Sequence, residues 1–123
     1  MSENDQTGTN ASLQISIEDF ERVDIRVGRI LSAEPLAGAR KPAYKLRIDF
    51  GAELGVRQSS AQITTLYTPE QLVGTLALAV VNFPPRRIAG FKSEVLTLGV
   101  ANADGAVVLI TPRGDAPLGA RLF

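Results

Sequence analysis

The chain contains no cysteine and no histidine among its 123 residues. It can therefore form no disulfide and no thiol nucleophile, and it lacks the imidazole that most zinc sites and many acid-base catalysts use. No apolar run approaches the length needed to cross a membrane, and residues 1–10 lack the basic and apolar regions of a secretory signal. These absences predict a cytoplasmic protein with no membrane insertion, no metal and no cofactor.

The length of the chain suits one domain of ordinary size. Residues 1–14 are polar at the start and lack a regular apolar pattern, so they are predicted to be a disordered N-terminal tail. Residues 15–123 are predicted to form a single domain, large enough to bury one core without disulfides.

Net charge is zero, from 13 basic and 13 acidic residues, but the two signs are unevenly distributed. Residues 1–24 carry six acidic residues and one arginine, whereas residues 40–92 carry eight basic and three acidic residues. A polyanion would contact this locally basic region, and its attraction would depend on the local charge rather than on the net charge of the whole chain. The alternative is that these bases alternate along half-buried strands and only face water.

Short apolar runs separated by turn residues predict strands rather than long helices. Residues 44–50 alternate apolar and polar side chains, and residues 56–63 should return antiparallel after a glycine-flanked hairpin connection. Gly28 interrupts the preceding apolar strand and predicts a bend or bulge there. Ser16 and Thr68 predict the caps of two short helices, one near the N-terminus and one before the fourth strand. The predicted fold class is all-β, a five-stranded oligonucleotide-binding (OB) barrel.

The segment 81–94 breaks the regular pattern on either side of it. Apolar runs at 75–81 and 95–100 flank it as predicted strands, and between them stand two prolines, an Arg-Arg pair and a glycine. A stiff backbone, guanidinium groups and nearby aromatic rings suit the recognition of phosphates and bases. The same features also fit a plain connector whose arginines face water and whose phenylalanines lie in the core.

Five motifs, in this order and spacing, resemble the tRNA-binding domain family. They are residues 24–30 (DIRVGRI), 34–35 (EP), 49–51 (DFG), 72–74 (LVG) and 81–94 (VNFPPRRIAGFKSE). That family has an OB fold and occurs as an appendage of methionyl- and phenylalanyl-tRNA synthetases and as small free-standing proteins. Residues 39–46 followed by 82–86 are similar to its CsaA subgroup, described as homodimeric, export-related chaperones.

The resemblance implies a tRNA-facing surface on the segment 81–94 and on the polar strand beside it. The predicted RNA-binding residues are Arg40, Lys41, Lys45, Ser59, Ser60, Gln62, Asn82, Arg86, Arg87, Lys92 and Ser93. The alternative is that the polar strand is an exposed sheet edge, since strand edges are often polar. The resemblance also implies a homodimer joined through its terminal parts, and the candidate interface residues are Ile17, Phe20, Leu122 and Phe123.

Two functions follow from these observations. The first is a non-catalytic tRNA-binding module that reads RNA shape and phosphates through a basic, polar face. The second is an export-related chaperone that holds unfolded preproteins, or engages the export machinery, through an apolar groove lined by Tyr44, Phe83 and Phe91. An enzyme is not expected, because no glycine-rich phosphate loop is present and Asp24 and Asp49 are better explained as ion-pair or turn residues.

Overall fold

The computed structural model describes residues 13–123. The predicted tail, residues 1–14, therefore lies outside the described residues except for its last two. The elements within the described range are the helices α1 (Ile17–Glu21), α2 (Gly51–Leu54) and α3 (Pro69–Leu72) and the strands β1 (Ile25–Pro35), β2 (Tyr44–Asp49), β3 (Val56–Ala61), β4 (Leu76–Val80), β5 (Arg86–Ile88), β6 (Phe91–Ser93), β7 (Leu96–Thr97), β8 (Gly99–Ala101) and β9 (Val107–Leu109). In this part of the chain, no helix is long and apolar enough to cross a membrane.

Five strands form one antiparallel sheet in the order β3-β2-β1-β4-β7. The long strand β1 pairs with β2 through its second half and with β4 through its first half, so the sheet curls around it. The N–H groups of Glu94 and Val95, just before β7, both donate to the carbonyl of Gln58 in β3, at 2.8 and 3.3 Å. These bonds bring the two edges of the sheet together in a nearly closed barrel, and the predicted OB fold class is confirmed.

The core lies inside this barrel and follows the predicted alternation of β2. Tyr44, Leu46 and Ile48 point inward from β2, while the residues between them face outward or lie partly exposed. Ile30 of β1 and Phe50, just after β2, are also almost fully buried. Each large apolar side chain removed from water in this way stabilises the fold by about 1.5–3 kcal/mol.

Gly28 does not form the predicted bulge. The register of β1 against β2 shifts between Ile30 and Ser32 instead, and Gly28 lies in regular pairing with β4. A Cβ atom on Gly28 would lie 2.5 Å from Cγ2 of Ile48 and 2.8 Å from the ring of Phe50. A glycine is needed here because core side chains press directly against the backbone of β1.

Both predicted helix caps are confirmed. The hydroxyl of Ser16 accepts the N–H of Asp19 at 3.0 Å, and the Asp19 carboxylate accepts the N–H of Ser16 at 3.2 Å. Thr68 and Gln71 form the same reciprocal pair at the start of α3, with distances of 3.3 and 2.9 Å. The helix α3 lies before β4, as predicted, and buries Leu72 in the core.

The connection between β2 and β3 differs from the plain hairpin that its glycines suggested. Residues 51–54 form the single helical turn α2, in which the N–H of Gly55 donates to the carbonyl of Gly51 at 2.7 Å. Residues 102–105 form a tight turn, in which the side-chain oxygen of Asn102 accepts two backbone N–H groups, at 2.9 Å each. It joins β8 to β9.

Candidate nucleic-acid interface

The connection between β4 and β7, residues 81–95, is a projecting hairpin rather than an irregular connector. Strands β5 and β6 pair antiparallel, with Arg87 opposite Lys92. Ala89 and Gly90 both have positive φ angles, 51° and 81°, as the tight turns of two-residue hairpins require. The turn closes the hairpin, in which Arg86 and Arg87 are exposed on the paired strand β5.

Both ends of this connection are fixed to the barrel by side chains. The amide oxygen of Asn82 accepts the N–H of Asp24 at 3.0 Å, and its nitrogen donates to the carbonyl of Arg22 at 2.8 Å. At the other end, the carboxylate of Glu94 accepts the N–H of Gln58 at 2.9 Å. Asn82, predicted to contact RNA, therefore uses its amide to anchor the base of the hairpin.

A cleft of about 650 Å³ lies between the β1–β2 loop (residues 36–43) and the β5–β6 hairpin; we call it the basic cleft. Its lining residues are Gly38, Ala39, Arg40, Lys41, Ala43, Ser60, Gln62, Arg86, Arg87, Ile88 and Ala89. The two loops approach each other closely, because a Cβ built on Gly38 would lie 3.6 Å from the Cβ of Ala89. Six of the eleven predicted RNA-binding residues meet in this one cleft.

The charge of the basic cleft comes from two pairs of cations on opposite sides. Arg40 and Lys41 belong to one loop, Arg86 and Arg87 belong to the hairpin, and all four are exposed. Within residues 13–123, none of the four forms a salt bridge. An anion that enters the cleft would displace no carboxylate among these residues, so the cleft is suited to phosphate.

Two other predicted bases lie outside the basic cleft. Lys45 in β2 forms a salt bridge with Glu34, with its Nζ 3.4 Å from the carboxylate. Lys92 is exposed on β6, directly opposite Arg87. Neither side chain lines the cleft.

Ser59 is buried and is not placed for a direct contact with RNA, which corrects the prediction for this residue, and Ser93 lines the neighbouring pocket beside Phe83 rather than the basic cleft. Ser59 is fully buried; its Oγ donates to the carbonyl of Val95 at 3.2 Å and lies 2.7 Å from Oγ1 of Thr97. Ser93 is 9% exposed, and its Oγ accepts the N–H of Ser60 at 2.9 Å. Both serines join β3 to the second half of the β4–β7 connection.

The three predicted groove aromatics are separated by the fold. Tyr44 is only 8% exposed, and its hydroxyl donates to the carbonyl of Tyr67 at 2.7 Å, so it belongs to the core and not to a groove. Phe91 is half-buried in β6. Phe83 is 49% exposed and lies beside Leu96 in a second pocket of about 300 Å³, which we call the Phe83 pocket.

The four predicted dimer residues come together where α1 meets the last residues of the chain. A cleft of about 520 Å³, the terminal cleft, is lined by Ile17, Phe20, Glu21, Val23, Arg121, Leu122 and Phe123. The N–H of Leu122 donates to the carbonyl of Ile25 at 2.9 Å, which docks the last segment against β1. The side chains of Ile17 and Phe123 nevertheless remain mostly exposed.

An ion-pair cluster supports the terminal cleft, and only part of it was foreseen from the sequence. Nε of Arg26 lies 2.6 Å from the carboxylate of Asp24, and Nε of Arg121 lies 3.5 Å from the same carboxylate. The hydrogen bond that Arg26 donates to the carboxylate of Asp24 raises the pKa of this guanidinium. Among the described residues, no group of three acidic, histidine or cysteine side chains is placed to hold a metal ion.

Comparison with known proteins agrees with this geometry. Residues 25–121 match the family model described as a tRNA binding domain. Among solved structures, the chain is similar to the chaperone CsaA of Bacillus anthracis str. Ames, with 51% identity, a TM-score of 0.84 and coverage of 90% of this chain and 100% of that one. The CsaA chaperone protein of Picrophilus torridus is similar at 48% identity and a TM-score of 0.83, covering 89% of this chain and 100% of that one.

The curated relatives are much longer proteins. A methionine–tRNA ligase of Archaeoglobus fulgidus is 41% identical over 109 residues, which are 89% of this chain and 16% of the ligase. A methionine–tRNA ligase of Chlorobium chlorochromatii is 41% identical over 101 residues, which are 82% of this chain and 14% of the ligase. The chain thus spans about a sixth of the length of the curated relatives it matches.

Proposed function

This chain belongs to the tRNA-binding domain family, and on that premise we propose that it is a non-catalytic module that binds tRNA through the basic cleft. Residues 15–123 act as the single domain of this module. A cytoplasmic location is part of the proposal, because tRNA is used there. The observation that carries the proposal is the pair of cationic walls, Arg40 with Lys41 and Arg86 with Arg87, which face a common cleft without a carboxylate partner among the described residues.

The position of the cleft in the fold supports the same proposal. OB folds bind oligonucleotides on the face of their second and third strands, between the loop that joins strands one and two and the loop that joins strands four and five. The basic cleft is built from the β1–β2 loop, the end of β3 and the connection from β4 to β7, which is the fifth strand of this barrel. Arginine guanidinium groups there can hold phosphates through two parallel hydrogen bonds.

The test is the affinity of the protein for tRNA, measured by fluorescence anisotropy. The double variant Arg86→Glu with Arg87→Glu should bind at least 10-fold more weakly, because two attractive charges become repulsive. Arg113→Glu is the matched control, since Arg113 is exposed and does not line the cleft. Both variants should melt as the wild type does. Equal losses in the two variants, or no loss in either, would refute the assignment of the cleft.

We further propose that the protein is a homodimer joined at the terminal cleft. Ile17 is 66% exposed and Phe123 is wholly exposed, and a second copy would cover both. Ile17→Asp should convert the dimer to a monomer in sedimentation experiments, while Val73→Asp, at an equally apolar exposed site elsewhere, should not. A wild-type protein that sediments as a monomer, or a dimer that survives Ile17→Asp, would contradict this arrangement.

A chaperone role is the second candidate function, and the Phe83 pocket favours it. Phe83 and Leu96 are 49% and 44% exposed beside a pocket of about 300 Å³, and two similar solved structures are those of proteins called CsaA chaperones. A labelled unfolded polypeptide should then bind with little dependence on salt, and Phe83→Ser should weaken that binding. If the polypeptide does not bind, or binds equally well to Phe83→Ser, the pocket has no such role.

A further inference from the structure

We propose that the basic cleft and the Phe83 pocket cannot be occupied at the same time, so that tRNA and an apolar polypeptide segment compete for the protein. This inference rests on both proposed functions and adds to them the regulation of each site by the other. The observation that carries it is a wall of side chains common to the two cavities. Ser60, Arg86 and Ile88 line the basic cleft and also line the Phe83 pocket.

The shared wall is built from β3 and the β5–β6 hairpin. Arg86 pairs with Ser93 across the hairpin, and the Oγ of Ser93 accepts the N–H of Ser60 at 2.9 Å. These contacts place Ser60, Ser93 and Arg86 on three neighbouring segments of backbone. Ile88 lies on the same side of β5 as Arg86, because side chains two positions apart in a strand share a face. A ligand in either cavity therefore meets the same side chains.

The two cavities differ in charge, and this difference selects their ligands. The basic cleft carries four cations that form no salt bridge within residues 13–123, so it attracts phosphates. The charged residues that line the Phe83 pocket are Arg86 and Glu94, whose charges cancel. Phe83, Val95 and Leu96 supply apolar surface there. The ligand that suits this pocket is therefore an uncharged apolar segment.

Arg86 is the residue for which the two ligands compete most directly. Its side chain is exposed and can extend into only one of the two cavities at a time. A phosphate in the basic cleft holds the guanidinium there through charge-assisted hydrogen bonds. An apolar segment in the Phe83 pocket instead packs along the methylene groups and fixes a different conformation. Both ligands are also polymers that continue beyond their cavities, so their chains would meet over the shared wall.

The test is a competition between tRNA and a labelled, uncharged peptide in which phenylalanine alternates with serine and glycine, followed by fluorescence anisotropy. Because the peptide has no charge, neither tRNA nor the cations of the cleft attract it electrostatically. With tRNA at about ten times its own Kd, the apparent Kd of the peptide should rise about 11-fold. The peptide should weaken tRNA binding reciprocally. Added salt should release tRNA and restore the binding of the peptide.

A double variant shows whether the displacement comes from the basic cleft. Arg40 and Lys41 line the cleft but not the Phe83 pocket. Arg40→Ala with Lys41→Ala should raise the Kd of tRNA, and the tRNA concentration that displaces half of the peptide should rise by the same factor. Arg113→Ala is the matched control, because Arg113 is exposed and lines neither cavity. It should behave as the wild type does.

The outcomes separate this inference from the functions on which it rests. If each ligand binds alone but tRNA leaves the Kd of the peptide unchanged, the competition is wrong although both functions stand. Displacement that needs no more tRNA in the double variant than in the wild type would also overturn it, because tRNA would then act from another site. If either ligand alone fails to bind the wild type, that function fails and the inference fails with it.

Discussion

Core side chains pack directly against the backbone of β1 at Gly28, and Gly28→Ala should destabilise the protein strongly. The new methyl group would lie 2.5 Å from Cγ2 of Ile48 and 2.8 Å from two ring atoms of Phe50. Carbon atoms in contact are normally about 3.5–4.0 Å apart, so the overlap is about 1 Å. Ile48 and Phe50 are 0% and 1% exposed, and neither can move toward solvent without opening the core.

The expected magnitude lies at the upper end of the range for overpacking. Extra methyl groups in a well-packed core cost about 1–3 kcal/mol, and an overlap with two buried side chains places Gly28→Ala near 3 kcal/mol. For a chain of this size each kcal/mol lowers Tm by about 4 °C, so the loss should be about 12 °C. Thermal and urea unfolding followed by circular dichroism measure both values.

Gly114→Ala is the matched control for this prediction. A Cβ on Gly114 would meet nothing within 4 Å. It should leave Tm unchanged or raise it slightly, because replacing a glycine lowers the conformational entropy of the unfolded chain and so stabilises the fold by about 0.4–1 kcal/mol. If Gly28→Ala melts with the wild type, or no lower than Gly114→Ala, the close packing of Ile48 and Phe50 on β1 is wrong.

Two further variants test the roles of side chains that support the cleft without lining it. Ser59→Ala should lower the free energy of unfolding by about 1–3 kcal/mol, because the carbonyl of Val95 and the hydroxyl of Thr97 each lose a hydrogen-bond partner. The affinity for tRNA should stay unchanged. A stable variant with weak tRNA binding would show that Ser59 contacts RNA. Asn82→Ala removes two hydrogen bonds, one of them to Asp24, and should cost about 1–2 kcal/mol in urea unfolding; an unchanged midpoint would mean that the hairpin does not depend on this anchor.

The elements that the sequence predicted well are those set by local chemistry. The alternation in residues 44–50 corresponds to β2, because a half-buried strand needs apolar side chains at every second position. Ser16 and Thr68 cap helices because their hydroxyls satisfy free N–H groups at the first turn. Gly90 allows the hairpin to reverse, as its φ of 81° shows.

The elements that the sequence did not predict depend on contacts between distant segments. Ser59 and Ser60 look alike in a polar strand, but they point to opposite sides, and only the pairing with the β4–β7 connection buries Ser59. One local pattern in the sequence did indicate the buried side of this strand. Ser59 alternates with the apolar Ala61 and Ile63, which are buried, whereas Ser60 lies on the same side as Gln62 and lines the cleft. Residues that share the buried side of β3 were therefore poor candidates for RNA contact.

The sequence predicted which basic residues contribute to RNA binding, but it did not predict that they line a common cleft. Arg40 with Lys41 and Arg86 with Arg87 stand more than forty positions apart in the chain, and closure of the barrel brings their loops together. The aromatic residues show the same limit, because Tyr44 and Phe83 have similar side chains while the fold buries one and exposes the other. Burial of this kind is decided by long-range packing and not by residue type.

The measurement that tests the central claim most directly is the salt dependence of tRNA binding for the wild type and for a variant with all four cleft cations replaced by alanine. Each phosphate contact contributes about 0.7–0.9 to the slope of log affinity against log salt. The slope for the variant should therefore be smaller in magnitude by about 3. Equal slopes for the two proteins would contradict the account, because phosphates would then be held somewhere other than the basic cleft.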